Sequence, residues 1–252
     1  MKKAITHIFS LISLFMLLVV TLATEGCAKK EKRYRIGVDP SWYGVELDGK
    51  QTNVYAFSNE LLQEIAKIKK VNFDRVNMSW DNIVQGLIEK KYDGILSSIT
   101  PYPSNESTYL FSDIYLQTGP VLLLRNAIIL SESKGLMGKE IAVGSQAYEA
   151  LLIQKYHGAI AKFYDSFPNA MNDILNDTID GAIIPFIPAQ VYIRDQYEGK
   201  IKIATPPLND EGLRLITLQG NNKELIAIFN EGLQKLQENG LYEKLLKKWD
   251  IE

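Results

Sequence analysis

Six residues follow strand-like runs and carry groups able to hold a small molecule: Asp39, Trp42, Trp80, Ser98, Thr100 and Tyr102. A carboxylate accepts hydrogen bonds from an ammonium, hydroxyls meet polar ligand atoms, and two indole faces can sandwich a flat or cationic group. The same indoles would serve equally well as plugs at the edge of a core, and the sequence leaves both uses open. Between the third strand-like run and the next lies "ITPYPSNESTYLFSD", residues 99–113, which contains no Lys or Arg. Its prolines, hydroxyls and amides mark a turn at a strand end. A binding site built there has no cation of its own.

Catalytic chemistry finds few candidates. The chain has two histidines, His7 and His157, and a single cysteine, Cys27. His157, in "KYHG" at a helix end, reads as a surface residue favoured by the helix dipole. A His/Cys metal site or a Cys/His nucleophilic pair is therefore not expected. "GLMGKE" lacks the length and ending of a phosphate loop. Asp173, Asp177 and Asp180 read as solvated residues near a helix surface. No enzyme activity, cofactor or metal is expected, and a net charge of −2 argues against nucleic-acid binding.

The first residues read as an export signal rather than as part of the fold. Lys2 and Lys3 precede an apolar run from Ile8 to Val20, and small residues lead to Gly26-Cys27. The run is short for a permanent membrane span of about 20 residues. Cys27 after Gly26 resembles a bacterial lipobox, with Thr24 and Glu25 as departures, so lipidation at Cys27 is expected. The expected organisation is a signal peptide at 1–26 and a lipidation site with a charged tether at 27–32.

The body alternates strand and helix patterns. "YRIGV" is strand-like. "AFSNELLQEIAKIKK" carries apolar residues at 57, 61, 62, 65 and 68, a helical period, with Ser58 as its expected cap. "VNFDRVNM", "SWDNIVQGLIEKKY" and "DGILSSI" complete a β-α-β-α-β order, which implies an α/β fold with a parallel sheet. Ligands of such sheets lie beyond the carboxyl ends of the strands, where the six residues fall. A second unit follows "TGPVLLLR", with strands at "KEIAVGS", "IAKFYDS", "DGAIIP" and "IKIA" and helices between them. "GLRLITL" is a last strand, and a helical hairpin broken at Asn239-Gly240 ends the chain. Two units separated by extended chain imply two lobes and a cleft.

Three segments then resemble a known family. "AFSNELLQEIAK" is similar to a helix signature, with Ala56, Ser58 and Asn59 as departures. "KYDGILSS" and "FSDIYLQTG" match a strand and a Phe-Ser-Asp-Pro-Tyr segment, and "NNKELIAIFNEGLQKLQENGLYEKLLKKW" matches a C-terminal hairpin. Together they resemble the polar amino-acid receptors of bacterial ABC importers, solute-binding protein family 3, over residues 33–250. The resemblance implies a two-lobed periplasmic-binding-protein fold of type II: two α/β lobes with mixed, mostly parallel sheets, joined by two hinge strands.

The resemblance also implies a clamp and where it has changed. The family's arginine for the ligand carboxylate aligns with Asn105, and Thr100 takes the position that meets the same carboxylate. The family's aspartate for the ligand ammonium aligns with Pro185, or with Phe186 one residue on. Its Gly-Thr helix opening corresponds to Gln146-Ala147, while Asp39, Trp42 and Trp80 match acidic and aromatic contacts. Both charges of the usual clamp are thus absent. Arg125 or Arg214 replaces them, the ligand is not a standard α-amino acid, or transport has been lost.

The expected protein is an exported, monomeric solute receptor at the periplasm or the outer face of the cell membrane. It touches the membrane only through its signal or lipid anchor. Its partners are a small polar ligand, an amino acid or analogue, and an ABC permease in the inner membrane. Lobe 1 is expected at 33–117 plus 206–252, lobe 2 at 122–204, and hinges at 117–121 and 204–208. A sensor or envelope protein on the same fold is the alternative, and a same-fold dehydratase a lesser one.

Overall fold

A computed structural model describes residues 31–42, 44–130, 136–144 and 151–252. The expected signal peptide, the expected lipidation site at Cys27 and the Gln146 position lie outside the described residues. Strand β1 (Arg33–Val38) buries Tyr34, Ile36 and Val38, alternate residues that share one face. Helix α1 (Gln51–Lys69) covers that face with Val54, Phe57, Leu61 and Ile65, spaced three or four apart.

Ser58 is not the cap of α1. The helix starts at Gln51, and Ser58 is buried in its interior. Its hydroxyl donates to the Val54 carbonyl at 2.8 Å and lies 3.0 Å from the Tyr115 hydroxyl. A serine hydroxyl that donates to the preceding turn and accepts from a packed neighbour is tolerated mid-helix. Burial, opposed by the Ser58 bond, holds the Tyr115 phenol far above its ordinary pKa, so it stays a neutral partner.

β1 pairs in parallel with β2 (Asn72–Asn77) and with β3 (Gly94–Ser97), with helix α2 (Trp80–Ile88) before β3. After a short helix α3 (Pro103–Glu106) come β4 (Tyr109–Phe111) and β5 (Leu116–Gln117). The sixth strand of this sheet, β11 (Gly212–Leu218), comes from far along the chain and pairs antiparallel with β3, β4 and β5. Helices α6 (Lys223–Glu238) and α7 (Leu241–Lys248) then pack on the same side as α1. Gly240 breaks the hairpin with φ of +70°, a conformation that glycine adopts without strain.

The second sheet holds β6 (Pro120–Arg125), β7 (Glu140–Gly144), β8 (Ile160–Tyr164), β9 (Gly181–Pro185) and β10 (Ile201–Ile203) in the order β10-β6-β9-β7-β8. Helix α4 (Phe167–Leu175) precedes β9, and α5 (Phe186–Tyr192) follows it. β6 and β9 read as continuous apolar runs because clusters cover both faces of this sheet.

The chain passes between the sheets twice, from β5 to β6 and from β10 to β11. The passages are hydrogen-bonded to each other: Leu208 N–H donates to the Pro120 carbonyl at 2.8 Å, and Gly119 N–H to the Glu211 carbonyl at 3.1 Å.

Gly181 gives a test of the second sheet. A Cβ there would stand 2.4 Å from the backbone carbonyl of Leu123, which cannot retreat without breaking the β6–β9 pairing. Gly181→Ala should cost on the order of 1–3 kcal/mol. Thermal denaturation should show a melting temperature lower by several degrees, and an unchanged value would refute this packing.

Candidate functional site

The carboxyl ends of β1 and β3 set the first wall of the site. Asp39, the residue after β1, is 4% exposed. Its Oδ1 accepts from the Ser41 backbone N–H at 2.9 Å and from the Ser41 hydroxyl at 2.7 Å, while its buried Oδ2 has no partner among the described residues. Trp42 turns the chain with φ of +50°, an uncommon conformation for a bulky residue. Its ring is 3% exposed within the cluster of Ile36, Val38 and Leu47. Trp80 is half-buried against Ile83 and Ile95 in another cluster.

The two indoles do not face one another. Along β3, Ile95 belongs to the Trp80 cluster and Leu96 to the Trp42 cluster, so the rings pack on opposite faces of the sheet. The alternation of strand side chains forbids the sandwich.

The turn after β3 is held by its own polar groups. Ser98, Thr100 and Asn105 are half-buried, and Tyr102 is 51% exposed. The Asn105 side-chain amide donates to the Thr100 carbonyl at 2.8 Å, and the Tyr102 N–H donates to the same oxygen at 2.8 Å. In the second lobe, Pro185 is buried at the end of β9 opposite Pro120, and Phe186 packs on the neighbouring cluster. Neither side chain offers a hydrogen bond.

The two arginines considered as replacements differ. Arg125 is ion-paired with Asp177 and lies 3.9 Å from Asp180, which also holds Lys139 at 2.8 Å. Asp180 is therefore not the solvated residue expected. Asp173 is engaged too, accepting from the Tyr164 hydroxyl at 2.6 Å. Arg214, by contrast, is 6% exposed and, among the described residues, has only backbone acceptors.

The lobes meet along a seam. Ile187 of α5 is 1% exposed inside the cluster that contains Trp42 and Leu47. Fully burying such a side chain contributes roughly 1.5–3 kcal/mol. The Tyr192 hydroxyl donates to Asp48 at 2.6 Å, and Arg194 reaches Asp250 at 2.7 Å and the Glu252 carbonyl at 3.0 Å.

Beside the seam lies a cavity of about 350 Å³ between residues 45–49 and Gln51 on one side and Gly144, residues 164–167 and Pro188 on the other. It opens beyond the carboxyl ends of β7 and β8, as the strand-end rule requires. Its charged lining is Glu46, Asp48 and Asp165. Burial pushes the Tyr164 phenol on its wall up to about 12, with Asp173 adding to the effect. Sequence reasoning missed these residues. The strand-end rule, applied to "IAKFYDS" as it was to the first lobe, points to Tyr164 and Asp165.

Comparison with known proteins gives this geometry its context. The description "Bacterial extracellular solute-binding proteins, family 3" matches residues 34–251. The chain belongs to that family. It is 24% identical over 252 residues to the arginine-binding extracellular protein ArtP of Bacillus subtilis, covering 99% of this chain and 98% of that one. It is 25% identical to the histidine-binding periplasmic protein of Escherichia coli, covering 94% and 95%. The fold is similar to the L-cystine solute receptor of Neisseria gonorrhoeae in the unliganded open conformation, with a TM-score of 0.68, 20% identity and coverage of 87% and 93%. A substrate-binding domain of a putative amino acid ABC transporter from Streptococcus pneumoniae gives 0.62 at 23% identity, covering 86% and 99%.

The fold is thus the two-lobed type II periplasmic-binding-protein fold, and the cavity lies at a junction of its lobes. Among the described residues, no helix is long and apolar enough to cross a membrane.

Glu46 offers a pH test of the cavity rim. Burial first, and the charge of Glu211 second, raise its carboxyl above the ordinary value. A carboxyl raised by folding is favourable only while protonated, so its penalty grows as pH rises through the unfolded value and is complete above the folded one. Glu46→Gln should raise the melting temperature at pH 7 and make no difference below about pH 4. The same gain at both pH values would show that ionisation is not the cause.

Proposed function

We propose that this family member captures an amino acid or related small polar solute between its lobes and hands it to an ABC permease without covalent chemistry. The observation that carries the reading is the cavity at the lobe junction, beyond the strand ends and closed on one side by the Ile187 seam. The arginine-, histidine- and cystine-binding names of its relatives support the amino-acid class.

Closure is the mechanism. Lobe 2 (122–204) swings against lobe 1 (33–117 and 206–252) about 117–121 and 204–208, and the hydrogen-bonded pair of chain passages restricts the motion to a hinge. The N-terminal residues support export, with Cys27 as the lipid anchor of a monomeric receptor on the outer face of the membrane. Ser98, Thr100 and Tyr102 belong to the lobe 1 wall, and Pro185 and Phe186 to the lobe 2 wall.

A second reading, a sensor or envelope protein that has lost amino-acid binding, draws on two features. The Asn105 amide is committed to Thr100, and Pro185 has no polar group. A thermal-shift screen separates the two readings, using the standard amino acids and cystine at about 1 mM. A micromolar ligand at that concentration adds about 4 kcal/mol, a rise of roughly 8–16 °C. Such a rise is expected, and a flat screen would favour the second reading.

A further inference from the structure

The end of helix α5 touches the first lobe at two polar points. Tyr192, its last residue, donates its hydroxyl to Asp48 at 2.6 Å. Just beyond it, Arg194 meets the Asp250 carboxylate at 2.7 Å and the Glu252 carbonyl at 3.0 Å. Ile187, earlier on the same helix, is buried in the first lobe's own cluster. After Tyr192 the chain continues as one π-helical turn, Ile193–Tyr197, a rare form that recurs at functional sites. This turn borders an open groove of about 590 Å³ with Ile201 and Ile203 on its wall, so its packing leaves it room to shift.

The surface it touches is one tied unit of the first lobe. The Lys50 N–H donates to the Leu47 carbonyl at 3.0 Å and closes a tight turn around Asp48 and Gly49. Both central residues have positive φ, +45° and +83°, a conformation that an Asp-Gly pair adopts readily. The Lys50 ammonium is ion-paired with Asp250, and the Asn53 amide donates to the Trp249 carbonyl at 2.8 Å. The turn and the chain after α7 are thereby fastened to each other. The Lys50 hydrogen bond first, then the charges of Lys50 and Arg194, hold the Asp250 carboxyl below its ordinary value against the opposing effect of burial. Burial first, then Asp48, raises the Tyr192 phenol, so it stays a neutral donor. Each contact is open to solvent and weak alone. Two contacts on one seat act together, since the second forms at a high effective concentration once the first is made.

We propose that this α-to-π junction is an interlobe latch, with Tyr192 on Asp48 and Arg194 on Asp250 as its two hooks, and that it holds the lobes in the arrangement described above. The seat of the latch is also a wall of the cavity, since Leu47, Asp48, Gly49 and Gln51 line it. Release of the hooks frees the second lobe to turn about the paired chain passages and takes the opposite wall, Gly144 and residues 164–167, away from the seat. The latch rests on the hinge motion proposed above, but not on which solute is captured.

The test is a distance between the lobes, measured by pulsed electron paramagnetic resonance on the full chain with Cys27→Ser and no ligand added. Spin labels go on Gln63→Cys in the first lobe and His157→Cys in the second, both exposed positions. The parent should give one dominant distance. Tyr192→Phe and Arg194→Gln should each raise the population at other distances roughly 3- to 10-fold, as the loss of one net hydrogen bond implies. The two together should raise it further. Arg33→Gln, which breaks the exposed Arg33–Asp74 pair between β1 and β2, should leave the distance unchanged. Hydrogen exchange read by mass spectrometry should show the Lys50 amide, in the lobe opposite the substitution, exchanging faster in Tyr192→Phe.

An unchanged distance distribution in a folded Tyr192→Phe/Arg194→Gln chain would overturn the latch and leave solute capture standing. If that pair fails to fold, Tyr192→Phe alone decides, because it removes a single oxygen and keeps the ring. The same shift in Arg33→Gln would also overturn the latch, since general loosening would then explain it. A flat ligand screen beside a shifted distance would count against capture and keep the latch.

Discussion

β11 hydrogen-bonds to β3, β4 and β5, three strands of the first sheet, although a whole second sheet separates it from them in sequence. This long-range antiparallel pairing makes the first sheet depend on both ends of the chain. It turns residues between β5 and β11 into an inserted lobe, so two chain passages, not one, must link the lobes. Two adjacent passages permit rotation about a shared axis and resist shear. The loop-closure entropy of so distant a pairing rises only slowly with length, and the apolar strip Leu213, Leu215 and Ile216 offsets it through burial on both faces.

The same strand serves both faces of the first sheet. Leu213 and Leu215 hold the core on one face, while Arg214 between them takes the other, two residues before Ile216 of the opposite cluster. A strand interior positions a side chain more precisely than a turn does. The turn after β3 sends its Asn105 amide and the Tyr102 N–H to the Thr100 carbonyl.

Trp42 and Ile187 show how the two lobes share apolar surface. Ile187 comes from the second lobe but is buried in the cluster of the first, beside a tryptophan in a left-handed backbone conformation. Seam contacts of this kind favour approach of the lobes, while the like charges of Glu46 and Glu211 repel each other within the first lobe.

Much of the architecture was legible in the residues. The alternation in "YRIGV", the helical spacing from Phe57 onward, the continuous apolar strands and the break at Asn239-Gly240 all correspond to elements, because each reports a local periodicity or a local backbone preference. Ser58 was misread because a cap and a buried mid-helix serine differ only in what packs above them, and Tyr115 is remote in sequence. The separation of Trp42 from Trp80 was equally hidden, since which sheet face a ring takes depends on strand register. The sequence by itself determined the order of the elements, the absence of a cation in the turn and the scarcity of groups for catalysis. Only the tertiary structure decided that Arg125 is bound by aspartates while Arg214 is buried opposite Ser97, because pairing between strands distant in sequence sets which groups each charge meets.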